Sequence, residues 1–299
     1  MTEEPLAIES KSNLPVWARI VLAIISFLML GGIFQFIGML IAKVPLTNIS
    51  ALNDLSVKQL LIIQFFGILS LVIVVYIYRR LVDKRSIVSM GFSLKNRFKE
   101  ILVGFLIALA IIGGGSLILY AFNYVDFIFV HVDVYSLFLS FLLFIMVALN
   151  EEIFVRGYIL NNLMTSMNKY WALWISAVIF ALFHALNFNL SWLAMINLLL
   201  AGVILGSTYI FTKNLWLPIS LHLFWNYLQG PILGYSVSGQ KIESMLKVNL
   251  LGNRSINGGE FGFEGSIVCT VMLAVAISLI IGFYIKKTLK QQLAAPNCC

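Results

Sequence analysis

The stretch FIMVALNEEIFVRGYIL, residues 144–160, decides how the chain folds. It is apolar enough to lie within a membrane, yet it carries two adjacent glutamates and an arginine. Charge inside a membrane-spanning helix is energetically expensive, so such residues face a bundle interior or a water-filled cavity rather than lipid. The stretch therefore predicts a polar site that is buried among membrane helices.

The composition of the whole chain agrees with a membrane protein. Of the 299 residues, 61% are hydrophobic and 11% are charged, whereas a soluble domain has roughly 25% charged residues. The net charge of +7, from 20 Lys and Arg against 13 Asp and Glu, is typical of basic cytoplasmic loops and does not indicate nucleic-acid binding. Cys269, Cys298 and Cys299 have neither metal-ligand nor disulfide spacing.

The hydropathy pattern predicts an all-α fold, a polytopic membrane protein with about eight transmembrane helices around a polar intramembrane cavity. The predicted spans are 16–41, 59–78, 101–123, 135–160, 171–188, 192–212, 216–230 and 265–285. We divide the chain into N-terminal helices with a basic loop (1–134), a core that carries the polar residues (135–230), and a Gly-rich loop, last helix and tail (231–299).

The distribution of charge orients these spans. Most Lys and Arg residues fall in alternate loops, as expected for the cytoplasmic side, and an even number of spans places both termini in the cytoplasm. The short loops are typical of a compact protein of a bacterial plasma membrane. We expect the basic loop after the second span to contact anionic lipid, and the Gly-rich loop 231–264 is typical of a flexible external connector.

Helical spacing groups the polar residues of three predicted spans. Glu152 and Arg156 are four residues apart and share a helix face, which leaves Glu151 turned about 100° away. The same spacing recurs in the pairs Phe180–His184 and His222–Asn226. Because none of these faces suits lipid, we expect them to converge on one buried cavity.

Each of these residues alone has a simpler structural explanation. A single His or Asn in a membrane helix commonly makes an interhelical hydrogen bond, and Arg156 could serve only to pair with Glu152. Asn187, one turn after His184, could line the site or end a helix. His131 is interpreted as a loop residue. The adjacent glutamates are harder to explain structurally, because two carboxylates in a bilayer are costly.

The residue types suit hydrolysis of a carbonyl compound by water. A glutamate in a cavity can act as a general base on water, and histidines can hold that water, bind a metal or donate to a developing oxyanion. An amide such as that of Asn226 donates to an oxyanion without titrating. The sequence has neither the GxSxG of a serine hydrolase nor the HExxH of a zinc protease.

Three motifs occur in order on successive apolar segments: EExxxR at 151–156, FxxxH at 180–184 and HxxxN at 222–226. Together they resemble the motifs of the CPBP family, which groups type II CAAX prenyl endopeptidases with bacterial Abi and bacteriocin-immunity proteins. The resemblance covers about 135–230 and implies an intramembrane endopeptidase with a helical core around a cavity.

The resemblance also implies roles for individual residues. Glu151 would be the general base on water, His184 would help to hold that water, and His222 and Asn226 would stabilise the oxyanion. Glu152 would shape the site from within. We therefore predict catalytic positions at Glu151, Glu152, His184, His222 and Asn226, and site-shaping positions at Arg156, Phe180 and Asn187.

The resemblance leaves the cofactor open. Glu151, His184 and His222 could bind Zn²⁺ and leave a position for water, which would make the protein a metalloprotease. A metal-free glutamate mechanism uses the same residues, and we favour it slightly. The expected partners are membrane lipid and a small membrane-associated protein or peptide substrate, without nucleic acid.

Two other functions remain alternatives at this point. A non-catalytic bacteriocin-immunity or scaffold protein of the same family would not depend on Glu151. A proton-coupled transporter would call for inverted repeats with broken helices at matching positions, and the sequence shows none. The C-terminal Pro296–Cys299 is not a CaaX sequence, so lipidation there is not expected.

Overall fold

The computed structural model of the chain describes residues 12–46, 52, 54–93, 97–130 and 133–294. Within these ranges the protein is mostly helical and has one two-stranded sheet. The main helices are α1 Val16–Ile41, α2 Val57–Val82, α3 Phe98–Ala121, α4 Val134–Leu163, α5 Lys169–Phe183, α6 Trp192–Thr212, α7 Trp216–Tyr227 and α8 Ile267–Ala294. His131, Cys298 and Cys299 lie outside the described residues.

Among the described residues, six helices are long and apolar enough to cross a membrane, and the chain is a multi-pass membrane protein. They coincide with six of the predicted spans. The other two, 171–188 and 216–230, fall on the shorter α5, with 15 residues, and α7, with 12. A π-helical segment, Leu228–Ile232, extends α7 around Pro231. Eight spans are therefore not confirmed.

Local sequence signals explain where several helices begin. Four of them start after a residue whose side chain accepts a hydrogen bond from a backbone N–H of the first turn, which satisfies a donor that the helix leaves unpaired. These capping residues are Ser56 before α2, Asp133 before α4, Asn168 before α5 and Ser191 before α6.

Contacts between helix ends define two ends of the bundle. At what we call the basic end, Arg19 of α1 pairs with Asp83, which follows α2, and Asn162 of α4 donates to the same carboxylate. At the opposite end, which we call the hairpin end, the Gln59 side chain of α2 donates to the carbonyl of Ala42 after α1. Helices α1 and α2 are therefore antiparallel, and the basic loop that follows α2 lies at the basic end.

A small sheet at the hairpin end departs from the all-α prediction. Strand β1, Val125–Phe129, pairs antiparallel with β2, Leu246–Leu250, and Phe127 lies opposite Val248. The strands come from distant parts of the chain, so no local hairpin signal marks them. Short helical turns follow β2 at Arg254–Asn257, Gly259–Phe261 and Phe263–Gly265.

Residues 231–264, predicted to be a flexible external connector, are packed against the bundle, so the prediction of a flexible connector is wrong. Tyr235, Phe261 and Phe263 are buried, and the segment packs on the ends of the helices. Gly262 shows why a glycine-rich sequence folds compactly here. Its φ of +103° is a conformation that L residues rarely adopt, and a Cβ would collide with the carbonyl oxygen of Ser236.

Close backbone approach brings the site-bearing helices together. Gly202 of α6 lies against Ala177 of α5, where an added Cβ would be 2.8 Å from the Ala177 Cα. Gly104 of α3 lies equally close to Ser220 and Leu221 of α7. Small residues at these crossings let α5, α6 and α7 surround α4, which carries the two glutamates.

Candidate active site

Glu151 and Glu152 end the α-helical part of α4, and Ile153–Leu160 continue the helix with π geometry. Single π turns within helices occur frequently at functional sites. Across this turn, Arg156 Nη1 donates to Glu152 Oε1 at 2.8 Å, as the four-residue spacing predicts. Glu151 instead lines a cavity between the helices.

The Glu152 carboxylate is the centre of a fully buried polar cluster. Its Oε1 lies 2.8 Å from His222 Nδ1 on α7, in addition to the bond from Arg156. Arg156 Nη2 also donates to the carbonyl of Gly202 at 3.2 Å, and its guanidinium lies 4.4 Å from the centre of the Phe180 ring. The cluster fixes the orientation of the His222 imidazole.

Glu151 Oε2 lies between two imidazoles. It is 3.7 Å from His184 Nε2 and 3.9 Å from His222 Nε2, and it is buried without a hydrogen bond among the described residues. His184 Nδ1 lies 2.9 Å from the Phe180 carbonyl. Because a carbonyl only accepts, Nδ1 carries the hydrogen, and in the neutral ring Nε2 is an acceptor. The distances from Glu151 Oε2 to the two imidazole nitrogens are too long for direct hydrogen bonds.

Asn226 and Asn187 also border the cavity. Asn226 lies one turn beyond His222, is buried, and makes no hydrogen bond through its side chain within the described residues. Asn187, after the end of α5, donates through Nδ2 to the Ser238 carbonyl at 3.0 Å. Asn187 thus ties the α5–α6 turn to residues 235–242, which we call the strap.

The cavity measures about 480 Å³ and its wall is mainly apolar. Residues of α1, α2, α4, α5, α6, α7 and the strap contribute to it. Its polar lining consists of Glu151, His184, His222, Asn226, Asn187, Gln35, Gln64, Asn150, Ser238, Gln240 and Glu264. The cavity is therefore mainly apolar, and its polar residues form a site within it, whereas the sequence predicted a polar cavity.

Several of these lining residues did not emerge from the sequence. Gln35 and Gln64 are single polar residues in apolar spans, so the reasoning that found the histidines would have found them too. Glu264 gave no such signal, because it lies outside the predicted spans. Its Oε2 accepts hydrogen bonds from the backbone N–H and the hydroxyl of Ser238, both at 2.8 Å, and its Oε1 accepts from Trp225 Nε1 at 3.1 Å.

The donor types of Glu151, His184 and His222 suit zinc, which binds oxygen and imidazole nitrogen at about 2.0–2.2 Å. Among the described residues, however, no group of three His, Cys, Asp or Glu side chains is arranged to hold a metal ion. The residues do not form a ligand set as they stand, so the chemistry below is derived without a metal.

Helices surrounding a buried carboxylate–imidazole site define a class of protein, the multi-pass membrane protein with a buried polar site between its helices. Residues 133–228, about a third of the chain, match the family described as type II CAAX prenyl endopeptidase Rce1-like. This segment is similar to that family, and the predicted resemblance to the CPBP family is confirmed. The family points to a protease. No curated protein matches the chain.

Proposed function

We propose that this protein is an intramembrane endopeptidase in which Glu151 activates water. The observation that carries the proposal is the position of Glu151 Oε2, which is buried, unbonded within the described residues, and between two imidazole Nε2 atoms at 3.7 and 3.9 Å. The Glu151 side chain is partly exposed to the cavity, so a water that enters the cavity can donate one hydrogen to the carboxylate and the other to an imidazole nitrogen.

The proposed reaction uses this geometry in two steps. Glu151 takes a proton from water while the water oxygen bonds to the peptide carbonyl carbon, which forms a tetrahedral oxyanion. Glu151 then gives the proton to the amide nitrogen as the carbon–nitrogen bond breaks, so the products are a carboxyl group and an amine. His184 accepts from the water through Nε2.

In this proposal two residues of α7 stabilise the oxyanion. The Asn226 amide borders the cavity with its donors uncommitted to other described residues. Protonated His222 can donate through Nε2 while its Nδ1 donates to Glu152. Glu152 and Arg156 do not face the cavity in this scheme, and they position His222.

The proposal also covers the orientation of the chain in the membrane and the class of its substrate. The basic end faces the cytoplasm of a bacterial plasma membrane, both termini are cytoplasmic, and the substrate is a small membrane-associated protein or peptide. The cavity wall supports an apolar substrate. A metal at Glu151, His184 and His222 remains an outcome of the test.

The decisive experiment compares Glu151→Gln and His184→Ala with the wild type. The full chain is purified in detergent, and cleavage of internally quenched apolar peptides is measured with and without a chelator. We expect Glu151→Gln to lower kcat/KM by about 10²–10⁴-fold, because removing a general base has effects of this size. The unfolding midpoint should change little, because Glu151 accepts no hydrogen bond in the described part of the chain.

Glu260→Gln is the matched control, since Glu260 is an exposed carboxylate at the hairpin end. It should cleave as the wild type does. Wild-type cleavage by Glu151→Gln would refute the mechanism, and biological function that survives this variant would favour the non-catalytic immunity or scaffold role. Loss of cleavage on chelation, with recovery on adding Zn²⁺, would replace the metal-free scheme.

A further inference from the structure

The cavity extends from Glu151 mainly toward the hairpin end. Helix α4 runs toward the basic end, and its lining extends from Leu143, eight residues before Glu151, to Val155, only four residues after it. Helix α7 runs in the opposite direction, and its lining residue Asn226 follows His222. Because α4 and α7 are antiparallel, residues before Glu151 on α4 and residues after His222 on α7 lie on the same side of the site. That side is the hairpin end.

The basic end of the bundle is closed. Tyr158, which lies on α4 between the site and the basic end, is fully buried. Tyr209 is also fully buried, and its hydroxyl donates to the Met90 carbonyl. Beyond them, Arg79 and Asp83 form a buried ion pair. In the ranges that the structure describes, no cavity-lining residue comes from the connections at the basic end, 83–93, 164–168 or 213–215.

The rim and wall of the cavity indicate what it can admit. Two rim residues are exposed and apolar, Leu28 on α1 and Leu186 in the α5–α6 turn, the latter 98% exposed. Gln35 and Gln64 add uncharged amides that can donate to and accept from a peptide backbone.

Apart from His222, which the proposed mechanism uses in its protonated form, the charged side chains on the described lining are Glu151 and Glu264, and it has no Lys or Arg. A substrate carboxylate next to Glu151 or Glu264 would therefore be repelled by the like charge of that side chain.

We infer that the site takes an uncharged, extended and apolar peptide segment from the non-cytoplasmic half of the membrane, and cuts it at an internal bond. The inference rests on the proposed function for its cleavage step and on the basic end facing the cytoplasm for its direction. It differs from a site that receives a C-terminal tail from the cytoplasm, because such a tail would have to pass the closed basic end.

The direction of access is tested with single thiols, without any need for catalysis. Cys298 and Cys299 are replaced by Ser, and Cys269 is buried and kept. Gln64→Cys reports on the cavity, Glu260→Cys on the exposed hairpin-end surface and Lys84→Cys on the exposed basic end. Intact cells are treated with a membrane-impermeant maleimide before and after permeabilisation.

We expect Gln64→Cys and Glu260→Cys to react in intact cells, and Lys84→Cys only after permeabilisation. An apolar peptide with blocked ends should slow the reaction of Gln64→Cys severalfold and leave that of Glu260→Cys unchanged. The inference is overturned if Gln64→Cys reacts only together with Lys84→Cys, or reacts from neither side.

The chemistry is tested with two quenched peptides that differ only at the C-terminus, one amidated and one with a free carboxylate next to the scissile bond. Purified protein should cut the amidated peptide about tenfold or more faster, given the repulsion expected from like charges. Preference for the free carboxylate overturns the substrate class. If neither peptide is cut by the wild type, the proposed function fails and the substrate class with it, while the thiol pattern still decides the direction of access.

Discussion

Two clusters of buried charge lie in this bundle, one around Asp83 at the basic end and one around Glu152 beside the cavity. Both oxygens of Asp83 are used, because Arg19 donates to Oδ1 while Arg79 and Asn162 donate to Oδ2. The guanidinium of Arg79 also binds Ser89, Asn161 and the Ser86 carbonyl.

In the cluster beside the cavity, by contrast, some carboxylate oxygens accept no hydrogen bond from the described residues. Glu152 accepts two hydrogen bonds on Oε1, but its Oε2 and that of the adjacent Glu151 accept none among the described residues. Buried polar atoms without partners are costly in a folded protein, so their retention calls for a reason. Arg19 Nε and Asn162 Oδ1 in the Asp83 cluster are also buried without a described partner, so the difference lies in the carboxylates. Both oxygens of Asp83 are engaged, whereas each glutamate beside the cavity keeps an unused acceptor, and this is what distinguishes the site from the structural network.

The variant Asp83→Asn is the strongest test of this comparison, because it should have the largest effect on stability. The change leaves Arg19 and Arg79 without their carboxylate, and breaking a buried pair on one side typically costs about 3–5 kcal/mol. We expect a lower midpoint of unfolding in detergent, with kcat/KM per folded molecule unchanged, because the cluster lies away from the cavity lining.

The control for Asp83→Asn is Glu100→Gln, which removes the pair between Glu100 and Arg97 near the surface. That pair is partly exposed, so its loss should cost about 0–1 kcal/mol. If Asp83→Asn abolished cleavage in protein that is still folded, the Asp83 cluster would belong to the site, and the comparison would fail.

Glu152→Gln tests the other cluster and should have the next largest effect. The glutamine keeps the shape of the side chain but removes the charge that holds His222 and Arg156. We expect kcat/KM to fall about 10²-fold, equivalent to about 2.7 kcal/mol of activation free energy. Because His222 is positioned by this carboxylate, the pH profile of kcat/KM should also change shape.

The pH profile separates a positioning role from a purely structural one. Asp83→Asn, which only lowers stability, should leave the profile of the folded enzyme as it is in the wild type. An unchanged profile in Glu152→Gln, together with a lower midpoint of unfolding, would assign Glu152 to structure alone.

The sequence predicted that Glu152 pairs with Arg156. It further predicted that Glu151, His184 and His222 lie close together, because polar and charged side chains in an apolar span avoid lipid and face the interior of the bundle. It also predicted six spans whose length the structure bears out. These features follow from local rules, namely hydropathy and the helical repeat.

The strap and the sheet could not be predicted in the same way. Residue Leu250 pairs with Val125 across more than a hundred residues of chain, and Glu264 binds Ser238 and Trp225, which lie on other elements. Contacts of this kind depend on the assembled bundle, so neither spacing nor composition marks them. The glycines that looked like a connector supply the backbone angles that such compact packing needs.

Glu264→Gln should have the smallest effect of these variants on stability and activity, and its kinetics should separate substrate binding from catalysis. The amide retains one acceptor oxygen, but its NH₂ group would face either the donors of Ser238 or the indole N–H of Trp225. We expect a loss of about 1–2 kcal/mol in the free energy of unfolding, typical of damage to charge-assisted hydrogen bonds. Because the strap forms part of the cavity wall, KM should rise severalfold, with kcat within about twofold of the wild type.

The control for Glu264→Gln is again Glu260→Gln, four residues earlier and exposed, for which neither KM nor the unfolding midpoint should change. A fall in kcat at constant KM would place Glu264 in the chemistry. The cavity would then hold a second functional carboxylate beside Glu151. All the polar atoms of Glu264 are already engaged, as those of Asp83 are, so a role in shaping the cavity is the outcome that the comparison of the two clusters predicts.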